Sequence, residues 1–235
     1  MLGSYEIITI VDGKTDSDEI SSVLADVSSG HRKNDIKLVN YFQEMPISYG
    51  TVDIDECSGG VLEITAHQNQ TVVIAHQKQT ILKSKHFPDG LSVHAIAENV
   101  NLKKSCVALG RFAYVRITAE RRNAVRVRLQ ESIQVTVKTH SAVYTGILAD
   151  ISVSGIKIKN SGLPSNPANA LINISFTGIN ISLSGTFLRE KIDEDGQFHV
   201  FTIDPDNSSE GIISKLIYVR QVEIIQMLKD QLLER

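Results

Sequence analysis

Two short runs hold the side chains of this chain whose types and spacing suit ligand chemistry. The first is Arg121-Arg122-Asn123-Ala124-Val125-Arg126. A guanidinium presents five donors in a fixed fork, which matches phosphate oxygens or the O6 and N7 acceptors of guanine. Arg122 and Arg126 converge if the intervening residues curl, and stand about 13 to 14 Å apart if they are extended. The second run is Asp150-Ile151-Ser152-Val153-Ser154-Gly155. On an extended segment Asp150 and Ser152 point to the same side, and Gly155 permits a positive φ or a close backbone approach. Taken singly, the first run also reads as a solvated basic linker and the second as an ordinary strand-turn-strand corner. Together they say more. A carboxylate repels phosphate, so it helps only where the ligand also brings donors, as guanine does through N1–H and its exocyclic amine. Arginine with aspartate therefore argues for a guanine nucleotide.

These two runs resemble the signature of the PilZ domain, RxxxR followed after roughly one hairpin by D/NxSxxG. Arg122 and Arg126 match the first motif, Arg121 stands where an extra arginine is frequent, and Asp150, Ser152 and Gly155 match the second. The resemblance covers about residues 120 to 235. It departs at Arg128, where the family often has proline. It implies a six-stranded β-barrel that binds the bacterial second messenger cyclic di-GMP through Arg121, Arg122, Arg126, Asp150, Ser152 and Gly155. The ligand is then cyclic di-GMP, with no cofactor and no metal. The β-rich first half is similar in layout, not in motif, to the N-terminal domain of flagellar-brake PilZ proteins. That similarity implies a receptor that changes its domain arrangement and signals to a protein partner, such as the flagellar motor or secretion or polysaccharide machinery, controlling motility, biofilm or virulence. It leaves room for a homodimer.

The elements that must position these residues are mainly strands. Residues 36–118 contain short period-two or β-rich runs at Ile47–Ile54, Val61–Ala66, Thr71–Ala75, Thr80–Lys83, Leu91–Ala97, Ser105–Leu109 and Phe112–Thr118, which predict a barrel or sandwich. A helix precedes them: Asp16 and Glu19 are spaced as a capping box before Ile20, Val23, Leu24 and Val27. The second half predicts strands at Ser132–Lys138, Val143–Ile151, Gly155–Lys159, Leu171–Phe176, Ile179–Phe187 and Gln197–Ile203, and an amphipathic helix over about Ser209–Leu233 that packs on the second barrel. The expected architecture is mainly β, with two β-barrel domains: a split-barrel-like domain over 1–118, and a six-stranded PilZ barrel with a C-terminal helix over 119–235.

Composition narrows the function classes. The chain has 235 residues, 42% hydrophobic and 22% charged, with a formal net charge of −3. This is a folding composition, without the overall basicity of a general nucleic-acid or membrane-surface binder. Six of the ten arginines fall between Arg111 and Arg128, and the stretch 111–138 carries a net +5. The competing reading is therefore a nucleic-acid-binding transcriptional regulator that uses this stretch on phosphates. Cys57 and Cys106 are too few for a disulfide framework, and the scattered histidines lack metal-ligand spacing. Cys57-Ser58-Gly59-Gly60 reads as a hairpin turn rather than a nucleophile. No nucleotide-hydrolase or hydrolase-elbow motif is found, so the reading is not an enzyme. No apolar run approaches the roughly 20 residues of a membrane span, and the start has no signal-peptide pattern, so the expectation is a cytoplasmic protein.

Overall fold

The computed structural model describes the chain apart from residues 1–4, 43–44, 119–126, 129–131, 160–161, 165–166, 168, 177–178, 194–195 and 234–235. Two compact units divide it: Met1–Arg121 with Glu223–Arg235, and Arg122–Val222. Among the described residues, no helix is long and apolar enough to cross a membrane.

The first unit runs β1 (Tyr5–Ile7), α1 (Gly13–Ser28), β2 (Lys37–Phe42), β3 (Met45–Ile47), β4 (Asp53–Ser58), β5 (Val61–Thr65), α2 (Gln68–Gln77), β6 (Gln79–Lys83), β7 (Ser92–Asn101) and β8 (Cys106–Ile117). The sheet order is β3-β2-β6-β7-β8-β5-β4, with β1 on β8. The path curls until its ends approach. Thr51, just before β4, bridges to Lys37 of β2, and Val52 N–H donates to the Ile36 carbonyl at 3.3 Å. This near-closure at one point gives the split-barrel character. Helix α1 turns Ile20, Val23, Leu24 and Val27 toward Leu62, Ile64, Leu82, Val93, Leu109 and Tyr114, forming the main core.

Several local expectations are corrected here. The run Ile47–Ile54 is not one strand: β3 ends at Ile47 and β4 begins at Asp53. Thr71–Ala75 is helical, within α2. Its residues are β-branched and apolar, but a short apolar run fits a buried helix as well as a strand, and burial decides. The helix ends on Lys78 in the left-handed region, φ 60°. The two predicted strands Ser105–Leu109 and Phe112–Thr118 are one strand, β8, passing through Arg111 at φ 54°. The cap of α1 is Asp12, whose Oδ1 accepts from the Lys14 and Thr15 N–H groups at 3.0 and 2.9 Å. Asp16 instead lies buried in the first turn, and its carboxylate accepts from the backbone of Ile10 and Val11 at 2.8 and 3.0 Å. Strand β2 was not expected, because its Asn40 interrupts the apolar pattern. That side chain is the centre of a buried network: it accepts from Gln70 Nε2 and Thr80 Oγ1 at 2.7 and 2.8 Å and donates to Gln77 Oε1 and the Gln79 carbonyl at 2.8 and 2.7 Å.

The second unit contains β9 (Val127–Arg128), β10 (Gln134–Lys138), β11 (Val143–Ser152), β12 (Gly155–Lys159), β13 (Asn169–Phe176), β14 (Ile179–Asp193), β15 (Gly196–Ile203) and the first part of α3 (Asn207–Leu233). The order β10-β13-β14-β15-β12-β11 closes through β10–β11 pairing into a six-stranded antiparallel barrel, and β9 adds to the outer edge of β11. Val135, Val137, Leu148, Ile151, Ile156, Ile158, Ile172, Ile174, Leu183 and Phe201 are buried. Gly185 is required by this packing, since a Cβ there would stand 2.6 Å from Ile172 Cδ1. Asp206 Oδ1 accepts from Ser209 N–H at 2.7 Å and caps the start of α3. The sequence assigns all of this helix to the second domain, whereas Glu223–Arg235 groups with the first unit.

Candidate functional site

The hairpin β11–β12 is built around an irregularity. Along β11, Gly146 and Leu148 are buried, and strict alternation would turn position 150 inward next. Between Leu148 and Asp150 the register with β12 shifts by one residue, leaving Ala149 as the bulged position. Beyond it Ile151 takes the inward place opposite Ile156, and Asp150 falls on the other face opposite Lys157. Bulges commonly re-aim a side chain in this way. Without it a carboxylate would face the apolar interior, at a large desolvation cost.

Ser152 shares the face of Asp150 and is paired with Gly155. Val153 and Ser154 make a two-residue turn between them. The Ser152 hydroxyl is fully buried and donates to the Gly155 carbonyl at 3.2 Å. Ile203 N–H donates to the Ser154 carbonyl at 3.1 Å, which fastens the turn to β15. Gly155 stands in the ladder between Ser152 and Thr202, so its role here is that of a strand position without a side chain.

Arg121, Arg122 and Arg126 lie outside the described residues. The residue after Arg126 is described: Val127 is buried and pairs with Ile151, and the backbone register sets Arg128 against Asp150. The structure thus delivers the end of the arginine run to the strand that carries Asp150 and Ser152. Val127 and Ile151 are 24 positions apart in sequence yet pair directly, because β9 and β11 are hydrogen-bonded neighbours.

Lys157 pairs with Asp150 in the ladder only because of the bulge. Its Nζ lies 3.7 Å from the centroid of the Phe198 ring on β15, and Lys159 Nζ lies 6.0 Å from the same ring. Elsewhere the other candidates take structural places. Ser58 and Val61 pair across Gly59 and Gly60, at φ 59° and 78°, so the glycines make a hairpin turn that needs left-handed backbone twice. Cys57 is half-buried in β4; burial, with Glu56 beside it, pushes its thiol pKa up, away from nucleophilic character. Among the described residues, no cluster of three histidine, cysteine or carboxylate side chains could hold a metal.

Residues 120–219 match the PilZ domain family. No curated protein is significantly similar in sequence. Solved structures match at low identity and low TM-score. YcgR of Escherichia coli, in complex with c-di-GMP, is 12% identical, over 91% of this chain and 94% of that one, with a TM-score of 0.41. The Bacillus subtilis inhibitor of motility MotI/DgrA is 11% identical, over 80% and 96%, with a TM-score of 0.38. The MrkH–c-di-GMP complex of K. pneumonia is 15% identical, over 97% and 99%, with a TM-score of 0.35. The family match, the six-stranded barrel it overlaps and the hairpin that sets Asp150, Ser152 and Gly155 in one register identify residues 120–219 as a PilZ domain.

Proposed function

We propose that this protein is a cyclic di-GMP receptor that uses Arg121, Arg122, Arg126, Asp150, Ser152 and Gly155 to hold the dinucleotide and passes the binding event to a protein partner. The observation that carries the reading is the bulge at Ala149, which turns Asp150 out of the core on the strand paired with the end of the arginine run. A carboxylate at this place accepts guanine N1–H and the exocyclic amine, while guanidinium groups take O6, N7 and the phosphates. The buried Ser152 hydroxyl holds the turn, and Gly155 leaves the backbone approachable. The reading is of binding without turnover, in the cytoplasm, with motility, biofilm or virulence as outputs and a motor, secretion or polysaccharide assembly as partner. A homodimer is compatible with it. Binding changes the arrangement of the two units, since clustered arginines repel one another until an anion draws them together.

Calorimetric titration tests the reading. Cyclic di-GMP binds, cyclic di-AMP does not compete, and Asp150→Ala weakens binding by about 1 to 3 kcal/mol, the range for one bidentate base contact. In the same complex, hydrogen exchange slows over residues 119–126. Equal binding of the adenine analogue sinks the proposal. So would a tight, sequence-selective shift of duplex DNA at physiological salt that ignores cyclic di-GMP, which would make the basic stretch 111–138 a nucleic-acid surface. One of that stretch's cations, Arg116, is already ion-paired with Glu6 at 3.2 Å.

A further inference from the structure

We propose that the outer wall of the PilZ barrel over β11, β10, β13 and β14 is a contact surface for a second copy of this chain. Three large apolar side chains stand exposed on it: Val143, Ile147 and Leu171, at 63%, 41% and 41%. The ladders arrange the wall in rows across the strands. In one row Val143 and Leu171 flank Lys138; the next runs Thr145, Thr136, Asn173, Ser182; a third holds Ile147 and Gln134. Among these described positions Lys138 is the one charged side chain, on a chain that is 22% charged. Depletion of charge marks the core of an interface rather than a free surface. Barrel closure leaves β10 and β13 paired on both sides, so a partner meets the wall face-on and not by adding a strand.

The polar groups of the wall suit their own kind. Ile172-Asn173-Ile174-Ser175 and Ile179-Asn180-Ile181-Ser182 are the same four residues. The hairpin sets them antiparallel, so the Ser182 hydroxyl donates to Asn173 Oδ1 and the Ser175 hydroxyl donates to Asn180 Oδ1 at 2.6 Å. These groups satisfy one another sideways and require no ion. Every side chain of the middle row is a hydroxyl or an amide, which donates and accepts at once, so that row can face a copy of itself. A charged row would repel its copy. A two-fold axis along the middle row lays Val143 of one copy over Ile147 of the other and Lys138 over Gln134, and it keeps the two lysines at opposite rims. Contacts of this self-paired type are the commonest among homo-oligomers. The wall offers about ten side chains against roughly 20 to 30 a side in a standard interface, so the pairing is weak and depends on concentration. None of these residues belongs to the ligand set proposed above, so the contact stands or falls apart from cyclic di-GMP.

Sedimentation equilibrium of the full chain over roughly 1 μM to 1 mM tests the contact. Wild type passes from monomer toward dimer across this range. Thr145→Glu and Thr145→Lys each set like charges against one another at the axis and weaken the dimer by about tenfold or more. An equimolar mixture of the two variants associates again, because the axis then pairs opposite charges. Val143→Asp, in the neighbouring row, weakens the dimer as well and supplies a second disruption should a Thr145 variant fail to fold, which thermal unfolding detects. A wild type that stays monomeric throughout overturns the proposal. A dimer that persists unchanged in folded Thr145→Glu and Val143→Asp uses another face and overturns it too. If both Thr145 variants are monomeric and their mixture does not associate, the middle row does not face itself and the two-fold contact is wrong.

Discussion

Burial changes what individual side chains can do in the first unit. His94 is buried with its Nε2 3.0 Å from Gln79 Oε1 and Tyr5 stacked on its ring at 5.3 Å. Burial lowers its pKa below the ordinary 6.5. The unfolded chain therefore binds the proton more readily than the folded one. The stability contributed by the neutral ring is fully present above about pH 6.5 and is lost as pH falls toward the lower folded value. Denaturant midpoints at pH 7.5 and 5.5 should show a fall in wild type that is smaller in His94→Gln. An equal fall in both proteins would assign the acid sensitivity to other groups. Tyr114 shows the same physics on a phenol: burial, with Glu19 and Asp16 adding negative charge, pushes its pKa up to about 12, so it stays neutral throughout this range. None of this was legible in the sequence, where a histidine between Val93 and Ala95 carries no sign of which face it takes.

Elements were read well where one face is wet and poorly where both are dry. Ile133-Gln134-Val135-Thr136-Val137 alternates because β10 has a barrel interior on one side and solvent on the other, and it was read correctly. Helix α2 was read as a strand because Thr71 through Ala75 are all buried and leave no polar face to reveal a period. The motif residues Asp150, Ser152 and Gly155 were legible as types at a spacing. The bulge that orients Asp150 was not, because it exists only in register with β12. The N-terminus of α1 makes a comparable point. Asp16 was taken for a cap, yet it lies inside the helix and fastens the segment before it. Asp16→Ala should cost about 2 to 4 kcal/mol, since two backbone donors lose a charged acceptor. Hydrogen exchange at the Ile10 and Val11 amides should accelerate while the barrel amides stay as they were. Unchanged exchange at those two amides would show that the carboxylate holds nothing.

At the scale of the whole molecule, two units were legible from the repeated all-β character and the basic stretch between them, but the division of α3 was not. Its stripe of Ile213, Ile224, Ile225 and Leu228 is continuous by period, and a helical period does not say which body covers which turn. Ile224, Ile225 and Leu228 are buried and belong to the segment grouped with the first unit. Ending the chain at Val222 should therefore destabilise the first unit, by on the order of 5 kcal/mol for three buried aliphatic side chains. Thermal unfolding with residue-level hydrogen exchange should place the loss of protection in Met1–Arg121. A loss confined to the barrel strands would show that the helix end serves the second unit instead.

That division has a consequence for how the chain is made. Translation delivers residues in order, and domains generally fold as units, N-terminal first, as they leave the ribosome. Here the first unit is not continuous along the chain: its remaining segment, Glu223–Arg235, follows all of the second unit. When Arg121 emerges, the β-strands of the first unit are present, but the segment from Glu223 that groups with them is not. It follows only after about a hundred further residues, on the order of 5 to 20 s at 5–20 residues per second. The PilZ barrel can thus be complete before the unit that precedes it has all of its chain.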